Sequence, residues 1–235
     1  MSEPNALSQA KAILAPVNKD GYKFVAIGAG ATLLGFYLWS PLGWICLAVT
    51  LALAFFFRDP YRVVPQRDGL IVAPADGVVI SIEPVKPPVE LNLGEEPRTR
   101  VSIFLSVLDV HVARAPLAGR IDASAHRPGI YKNAASPDAP KENERHALAI
   151  EAKEGVRLGV VLVAGYVARR IVTEVQIGDT VGAGQRIGLI RFGSRVDIYL
   201  PPAAVLVSEG QRTLAGETIV ADMQSQEPAR TFKRI

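Results

Sequence analysis

The sequence predicts a mainly β protein, in which a pseudo-symmetric β sandwich or barrel follows an N-terminal hydrophobic α-helical hairpin. Three observations support this fold class. Residues 24–57 form a run of 34 positions with no charged side chain and no histidine. After this run the chain changes to short apolar stretches separated by Gly, Pro and Asp, which is the pattern of strands and tight turns. Several residues then recur 32 positions further on, which indicates two related β-hairpins.

The uncharged run is long enough for two helices that meet at Ser40-Pro41, because proline disfavours the helical conformation in the residue before it. Each half is ~24 Å long by the helical rise, which is short for a full bilayer crossing. Lys23 precedes the apolar stretch and Arg58 follows it, so both ends are expected at the cytoplasmic face. We therefore predict a membrane-associated hairpin at 23–57, either spanning the bilayer or lying in it. A signal peptide and a buried soluble hairpin are the alternatives.

The rest of the chain is expected to form one β-rich domain at 58–235, with an N-terminal segment at 1–22 before the hairpin. The predicted strands are Leu70–Ala73, Val78–Ile82, Val101–Leu105, His111–Ala115, Leu148–Glu151, Leu158–Val163, Ile171–Val175, Ile187–Arg191, Val196–Leu200 and Thr218–Val220. The polar, turn-rich stretch 128–144 is expected to be a long loop, and loops of that length inside compact domains are usually functional. The predicted location is the cytoplasmic face of the cell membrane, with peripheral or hairpin attachment.

The internal repeat consists of five residue pairs. These are Val175 and Val207, Gly178 and Gly210, Ala183 and Ala215, Gly184 and Gly216, and Ile187 and Ile219. Each copy has a strand end, a glycine turn, an Ala-Gly pair and another strand, and Ser194 lies on the segment between the copies. Lipoyl and biotinyl carrier domains have a similar sequence motif, so a binding module is one alternative function. Such carriers need a lysine at a hairpin tip, and the chain has no lysine between the two copies.

Composition excludes several other classes of protein. The formal charge of +3 is small and spread along the chain, so it does not indicate nucleic-acid binding. Cys46 is the only cysteine, which excludes disulfides within the chain and clusters of thiolate metal ligands. His111, His126 and His146 have spacings that match no compact metal motif, so we expect no metal.

Three short segments carry residues suited to chemistry. Asp76 lies in a Pro-Ala-Asp-Gly turn, His111 lies in the apolar segment 104–116, and Gly193 precedes Ser194 in the segment 191–201. Asp, His and Ser in separate segments can supply a nucleophile, its base and the group that orients the base. The residues alone are therefore also compatible with a membrane-anchored serine hydrolase that does not cleave itself.

Together the three segments resemble the phosphatidylserine decarboxylase family, specifically its short bacterial form. That family has a Gly-Ser pair near the C-terminus, an Asp in a Pro-Ala-Asp-Gly turn and a Ser-Pro-x-Asp-x-His segment. The resemblance covers most of 58–222, including the Asn-Glu-Arg sequence at 143–145. The chain departs from the family pattern at Val107, where Pro is usual, and at Ala113, where the short form often has Asn. Arg114 is typical of the short form, whereas the longer form has a second histidine there.

The resemblance implies a carboxy-lyase that converts phosphatidylserine into phosphatidylethanolamine and CO2. It also implies self-cleavage between Gly193 and Ser194, which gives a β chain of residues 1–193 and an α chain of residues 194–235. Ser194 would become a covalent pyruvoyl group, the cofactor that forms a Schiff base with the substrate amine. His111 is the expected base that takes the serine proton. Asp76 is expected to orient the His111 imidazole and to favour its charged form.

The resemblance further implies an aminophospholipid substrate, a membrane surface and the two chains of one precursor as partners, with no nucleic acid. A homo-oligomer is compatible with the sequence. Arg114, Arg145 and Lys132 are candidates for pairing with the substrate phosphate or carboxylate, and ordinary surface or structural cations are the alternative for each. His126 and His146 are interpreted as polar residues beside the long loop.

Overall fold

The computed structural model describes residues 15–166, 170–190, 194–227 and 230–233. Over these residues the chain is mainly β, with a curled eight-stranded sheet and an N-terminal pair of helices. The predicted fold class is therefore confirmed. The chain divides into two compact units, one that ends at Tyr61 and one that begins at Arg62.

The first unit contains two helices, α1 (Tyr22–Leu38) and α2 (Ser40–Phe56). They are separated by Trp39, whose backbone is extended and which lies just before the predicted break. Small residues let the helices approach closely, since a Cβ added to Gly35 would lie 3.0 Å from the Cα of Gly43. With the turn before it, α1 is long and apolar enough to cross a membrane, whereas α2 is a shorter apolar helix.

The second unit contains three antiparallel sheets. Its strands are β1 (Leu70–Val72), β2 (Gly77–Val85), β3 (Arg98–Leu105), β4 (Val112–Arg114), β5 (Gly119–Arg127), β6 (Arg145–Glu151), β7 (Arg157–Ala164), β8 (Ile171–Thr173), β9 (Thr180–Val181), β10 (Arg186–Ile190), β11 (Ser194–Tyr199), β12 (Ala204–Val205), β13 (Arg212–Thr213) and β14 (Ile219–Asp222). The large sheet has the order β13-β2-β3-β11-β7-β6-β5-β9, and the two small sheets have the orders β1-β14-β12 and β4-β10-β8. A short helix, α3 (Ala139–Glu142), lies in the long loop.

Each of the ten predicted strands overlaps a strand of the structure. The sequence pattern does not predict β5, β9, β12 and β13. The first of these reads Gly-Arg-Ile-Asp-Ala-Ser-Ala-His-Arg and has only one large aliphatic residue, so it lacks the apolar alternation that marks a strand. The other three are only two residues long and depend on pairing with strands distant in sequence.

The second unit is built from two similar halves. The first half comprises 70–85 and 207–222, and the second comprises 112–127 and 175–190. The halves exchange reciprocal backbone hydrogen bonds, in which Val72 N donates to Pro116 O and Arg114 N donates to Pro74 O, both at 2.8 Å. Residues of β1–β2 therefore correspond to residues 42 positions later in β4–β5.

The glycine turns repeat in the same way. Gly210 N donates to Val79 O at 2.8 Å, and Gly178 N donates to Ile121 O at 2.9 Å. The predicted equivalence of Ile187 and Ile219, the last pair of the sequence repeat, is wrong, however. Val72 pairs with Ile219 while its counterpart Arg114 pairs with Arg186, so the first half has one extra residue after its second glycine turn.

Candidate active site

Neighbouring strands of the large sheet place the three candidate segments at one end of that sheet. Ser194 begins β11 and pairs with Leu105 at the end of β3 and with Ala164 at the end of β7. The start of β2 lies at the same end, since Val78 pairs with Phe104. We call this end of β2, β3, β11 and β7 the Ser194 edge. It brings together the turn before β2, the turn after β3 and the predicted nucleophile.

Ser194 is fully buried at this edge. Alternation along β11 puts it on the same face as Val196 and Ile198, which pack in the larger hydrophobic core. Among the residues that the structure describes, its Oγ has no hydrogen-bond partner. A buried hydroxyl without a partner costs about 1–3 kcal/mol, so its presence in a folded protein needs a reason such as reactivity.

The opposite face of β11 carries a buried ion pair. Arg195 Nε lies 2.6 Å from Asp197 Oδ1, and its guanidinium also donates to Ser102 Oγ at 2.7 Å. Both charged side chains are almost completely buried, so each depends on the other for compensation. This network binds β11 to β3 and fixes the strand that begins with Ser194.

His111 lies directly before β4 and is completely buried. Its main-chain oxygen accepts a hydrogen bond from Ile190 N at 3.1 Å, which fixes the backbone against the end of β10. Its Nδ1 lies 2.9 Å from the main-chain oxygen of Asp109. A carbonyl oxygen can only accept, so Nδ1 carries a proton, and in the neutral form of the ring the lone pair is on Nε2. This tautomer suits a general base that acts through Nε2.

Asp109 fixes the turn that carries His111. Its carboxylate accepts hydrogen bonds from Ser106 N at 2.8 Å and Ser106 Oγ at 2.7 Å, and it pairs with Arg212. Burial raises the pKa of Asp109, but these hydrogen bonds outweigh burial and leave that pKa below its usual value. No predicted site residue included Asp109, although a Ser followed three residues later by Asp is a pattern of side-chain-capped turns.

Asp76 lies in the turn before β2 and is almost completely buried. Its carboxylate accepts hydrogen bonds from Ala215 N and from the Arg62 guanidinium, both at 2.7 Å. Burial raises the pKa of Asp76, Ala215 and Arg62 oppose that rise, and the charge of Asp109 adds to it. The carboxylate is thus close enough to the Asp109 turn to feel its charge. At Nδ1 the ring of His111 is held by a main-chain carbonyl, so the orienting role of Asp76 stays a prediction.

Arg145, one of the predicted substrate cations, is buried at the start of β6. Its guanidinium donates to Pro140 O at 2.7 Å and pairs with Glu90 at 2.8 Å. These contacts fasten the long loop to the sheet. They favour a structural role, and a contact with substrate stays a prediction.

The other two predicted cations differ in exposure. Arg114 is buried on β4, where it donates to Gly184 O at 3.0 Å across the turn of the second half. Lys132 is half exposed on the long loop and pairs with Glu142 at 2.5 Å. Their substrate contacts also stay predictions.

Asn143 is a buried residue that connects the long loop to the Ser194 edge. Its Nδ2 donates to Ala164 O at 2.7 Å and to Lys132 O at 2.8 Å, and its Oδ1 accepts from Lys132 N at 3.0 Å. Ala164 is the partner of Ser194 on β7. Asn143 therefore positions the backbone beside the predicted nucleophile, a role that its position in a motif did not specify.

The remaining predicted residues lie elsewhere. Gly193 is outside the described residues, so the structure gives no geometry for the predicted cleavage site. His126 and His146 form a cross-strand pair on β5 and β6, where His146 Nε2 lies 2.9 Å from Ser124 Oγ. Within the described ranges, no group of three or more His, Cys, Asp or Glu side chains has the geometry to hold a metal ion.

Residues 49–221 match the family model described as phosphatidylserine decarboxylase. The chain belongs to the phosphatidylserine decarboxylase family. It is therefore a decarboxylase of phospholipid metabolism, and phosphatidylserine is the substrate that the family membership supports. The matched span includes Asp76, His111 and Ser194, and it begins within α2.

Two relatives cover almost the whole of this decarboxylase. A phosphatidylserine decarboxylase proenzyme of Cereibacter sphaeroides is 51% identical over 227 residues, which are 96% of this chain and 98% of the relative. A phosphatidylserine decarboxylase proenzyme of Nitrobacter winogradskyi is 53% identical over 224 residues, which are 95% of this chain and 90% of the relative. A solved structure, the glucose permease IIA from Mycoplasma capricolum, is 16% identical and covers 68% of this chain and 97% of its own, with a TM-score of 0.38. A likeness of that degree supports no conclusion about this chain.

Proposed function

We propose that this decarboxylase cleaves itself between Gly193 and Ser194, converts Ser194 into a pyruvoyl group and then decarboxylates phosphatidylserine at a membrane surface. The observation that carries the proposal is the buried Ser194 Oγ, which has no partner among the described residues and lies at the same sheet edge as His111 and Asp76. A buried hydroxyl in this setting is available for attack on a neighbouring carbonyl.

In the first step, His111 Nε2 removes the proton from Ser194 Oγ. The Oγ forms a bond to the carbonyl carbon of Gly193, the amide C–N bond breaks, and the nitrogen of residue 194 takes up the proton. The protonated Nδ1 is held by Asp109, which keeps the ring in the tautomer that can accept at Nε2. Asp76 supplies a negative charge near the same turn, which favours the imidazolium that forms.

In the second step, the ester is eliminated. A base removes the proton from Cα of residue 194, the Cβ–Oγ bond breaks, and the chain 1–193 leaves with a terminal carboxylate. The remaining alkene at residue 194 takes up water and loses ammonia, which gives a pyruvoyl group at the start of the chain 194–235. Gly193 suits this chemistry because it has no Cβ to obstruct the attacking oxygen.

The site suits a pyruvoyl group, because that group is no larger than the serine it replaces and Ser194 is already enclosed by β3 and β7. When formed, the group supplies an electron sink for the electron pair that CO2 leaves behind. His111 then returns a proton to the substrate carbon that has lost CO2. Asn143 holds the neighbouring Ala164 backbone and so keeps the wall of the site in place.

The helix pair supports attachment to a membrane, which the proposal places at the cytoplasmic face. Its outer surface is made of exposed large apolar side chains, including Leu33, Tyr37, Trp44 and Val49. Aromatic residues near the tip of the pair suit the boundary between headgroups and acyl chains. A diacyl lipid hardly leaves its bilayer, so an enzyme held there meets substrate at a higher effective concentration. The proposed division is a segment at 1–22, a hairpin at 23–57 and a processed catalytic domain at 58–235.

Replacement of Ser194 by Ala tests the proposal. We expect the Ser194→Ala variant to stay a single chain of 25.2 kDa, while the native sequence yields a fragment of residues 194–235 with a blocked N-terminus. Gel electrophoresis and intact mass spectrometry measure both. Ser124→Ala is the matched control, because Ser124 lies on β5, where its Oγ is 2.9 Å from His146 Nε2, and it has no part in the proposed cleavage.

The control is expected to be cleaved as completely as the native chain. Cleavage of Ser194→Ala would refute the proposed self-cleavage. An uncleaved native chain that nevertheless hydrolyses esters would instead support the serine hydrolase alternative.

A further inference from the structure

The turn after β3 presents apolar side chains to solvent at the Ser194 edge. Val107 is 54% exposed and Leu108 is 71% exposed, although they lie within four residues of the buried His111. Turn tips usually carry Gly, Pro, Asn or Asp, because these residues suit turn backbones and contact with water. Two consecutive large aliphatic residues at a turn tip therefore point to a partner that covers them.

A third exposed apolar residue lies at the same end of the sheet. Tyr166 is 78% exposed and follows the end of β7 by two residues. Because Leu105, Ser194 and Ala164 are paired side by side, the continuations of β3 and β7 flank the start of β11 on both sides. Val107 and Leu108 thus lie on one side of Ser194 and Tyr166 lies on the other. We call these three side chains the apolar rim.

The turn is held rigid before any partner binds. Asp109 N donates to Ser106 O at 3.0 Å, and the Asp109 carboxylate accepts from both the backbone and the side chain of Ser106. Val107 and Leu108 are the two residues between these anchors. A partner that covers them therefore orders little additional chain, which reduces the entropy lost on binding.

Cations accompany the apolar rim. Arg212 pairs with Asp109 at the base of the turn, and its side chain is two-thirds exposed. Arg170 is exposed and directly precedes Ile171, which pairs with Ile190 next to the His111 backbone. Apolar side chains with adjacent arginines are complementary to a bilayer of anionic phospholipid, in which apolar residues reach the acyl chains and cations meet the headgroups.

We propose that the apolar rim inserts into the surface of a bilayer that contains anionic phospholipid, so that the Ser194 edge itself contacts the membrane independently of the helix pair. The proposal rests on the proposed action at a membrane. It offers a route for a headgroup to a buried residue, because insertion places the Ser194 edge at the level of the headgroups. The substrate then enters the site without leaving its own leaflet.

A fluorophore at the rim tests insertion directly. Cys46 is the only cysteine, so the full-length chain with Cys46→Ser and Leu108→Cys takes one nitrobenzoxadiazole label. The matched control places the label with Val89→Cys. Val89 is 74% exposed and follows the far end of β2, where Val85 pairs with Arg98, so it is roughly 23 Å or more along the strands from Leu105.

Each labelled protein is reconstituted into vesicles of phosphatidylcholine and phosphatidylserine with quenchers on the acyl chains. We expect quenching at position 108 and little at position 89. Equal quenching at the two positions, or none at position 108, would overturn the proposal. This measurement does not depend on cleavage at Ser194, so its failure is distinguishable from failure of the proposed self-cleavage.

Enzyme kinetics give the second measurement. We expect Leu108→Asp to lower decarboxylation of phosphatidylserine in vesicles by roughly tenfold or more, since a charge replaces an inserted side chain. Turnover of dispersed short-chain phosphatidylserine and the extent of self-cleavage are expected to be unchanged, which also shows that the variant folds. Val89→Asp is the control and is expected to match the native chain with both substrates. An equal loss with both substrates, or no loss with vesicles, would contradict insertion.

Discussion

The two halves of the β unit place similar backbone around two different sets of side chains. At the Ser194 edge the set includes Asp76, His111 and Arg212. The corresponding positions around the second half are Ala118, Gly69 and Thr180, by the correspondence that the reciprocal hydrogen bonds define. These three residues line a groove of about 1050 Å³, which we call the counterpart groove.

The two regions share a backbone arrangement, which we call the frame, and differ in their side chains. Gly216 N donates to Ala73 O and Gly184 N donates to Ala115 O, both at 2.8 Å, so the turns that enclose the two regions have the same backbone contacts. Only the Ser194 edge combines this frame with a buried carboxylate and a buried imidazole at the corresponding positions. The proposed reactivity therefore comes from side chains added to one of two equivalent frames.

The largest expected effect comes from removal of the imidazole. His111→Gln leaves a polar side chain of similar size but no base, so we expect self-cleavage to slow by roughly 10²–10⁴-fold. Cleavage of freshly synthesised precursor is followed by gel electrophoresis over time. His126→Gln and His146→Gln are the controls, because both residues lie on the β5–β6 pair, and each is expected to leave the rate unchanged. Native-like cleavage of His111→Gln would show that another group acts as the base.

Moving the carboxylate from the Ser194 edge to the counterpart groove tests the comparison most directly. Asp76→Ala copies the residue of the counterpart groove, and we expect it to slow self-cleavage by about 10²-fold or more because the charge near the His111 turn is lost. Ala118→Asp adds a carboxylate at the exposed counterpart position and is expected to have no effect. The double variant should be as slow as Asp76→Ala. Rescue by Ala118→Asp would show that the position of the carboxylate is unimportant.

The pH dependence of cleavage is expected to be sensitive to Arg62. In the proposed mechanism Asp76 acts in its ionised form. Burial raises the pKa of Asp76, and the hydrogen bond from Ala215 N and the Arg62 guanidinium lower it. In Arg62→Gln the lowering by the guanidinium is lost, so the pKa rises and less of the carboxylate is ionised at acidic pH. The acid limb of the cleavage rate should therefore move to higher pH, while the rate above neutral pH changes less. An unchanged or lower acid limb would contradict this assignment, and Lys23→Gln in the helix pair is the matched control.

The smallest expected effect concerns the shared frame. Gly178 and Gly210 have φ of +96° and +84°, a region that side chains other than glycine adopt at a cost of about 1–2 kcal/mol. We expect Gly178→Ala and Gly210→Ala to lower the free energy of unfolding by the same amount within about 0.5 kcal/mol. Thermal unfolding of the full-length chain in detergent, followed by circular dichroism, measures the difference. A much larger loss at one glycine would show that the two frames are not equivalent.

Much of this architecture could be predicted from the sequence, because it depends on short-range patterns. The uncharged run gave the helix pair, and apolar stretches between turn residues gave ten strands. The glycine repeat indicated two similar hairpins, although it failed at Ile219, where an extra residue shifts the strand pairing. A single inserted residue is visible only once the partner strand is known.

Less of the candidate active site could be predicted from the sequence. The motifs indicated Asp76, His111 and Ser194, but they did not show that Asp109 holds the imidazole or that Arg62 pairs with Asp76. The Arg62–Asp76 contact joins two segments that only the fold brings together. The contact of His111 uses the main-chain oxygen of Asp109, which the residue type does not reveal. Arg145 was one of three candidate substrate cations with a structural cation as the alternative, and its buried contacts fasten the long loop, while a contact with substrate stays a prediction.

Intact mass of the purified, active enzyme tests the central claim most directly. The account predicts two polypeptides, residues 1–193 and residues 194–235, with the smaller one carrying a pyruvoyl group in place of an N-terminal serine. Release of CO2 from phosphatidylserine should increase in proportion to the amount of the smaller chain. A single uncleaved chain of 25.2 kDa that releases CO2 at the full rate would contradict it.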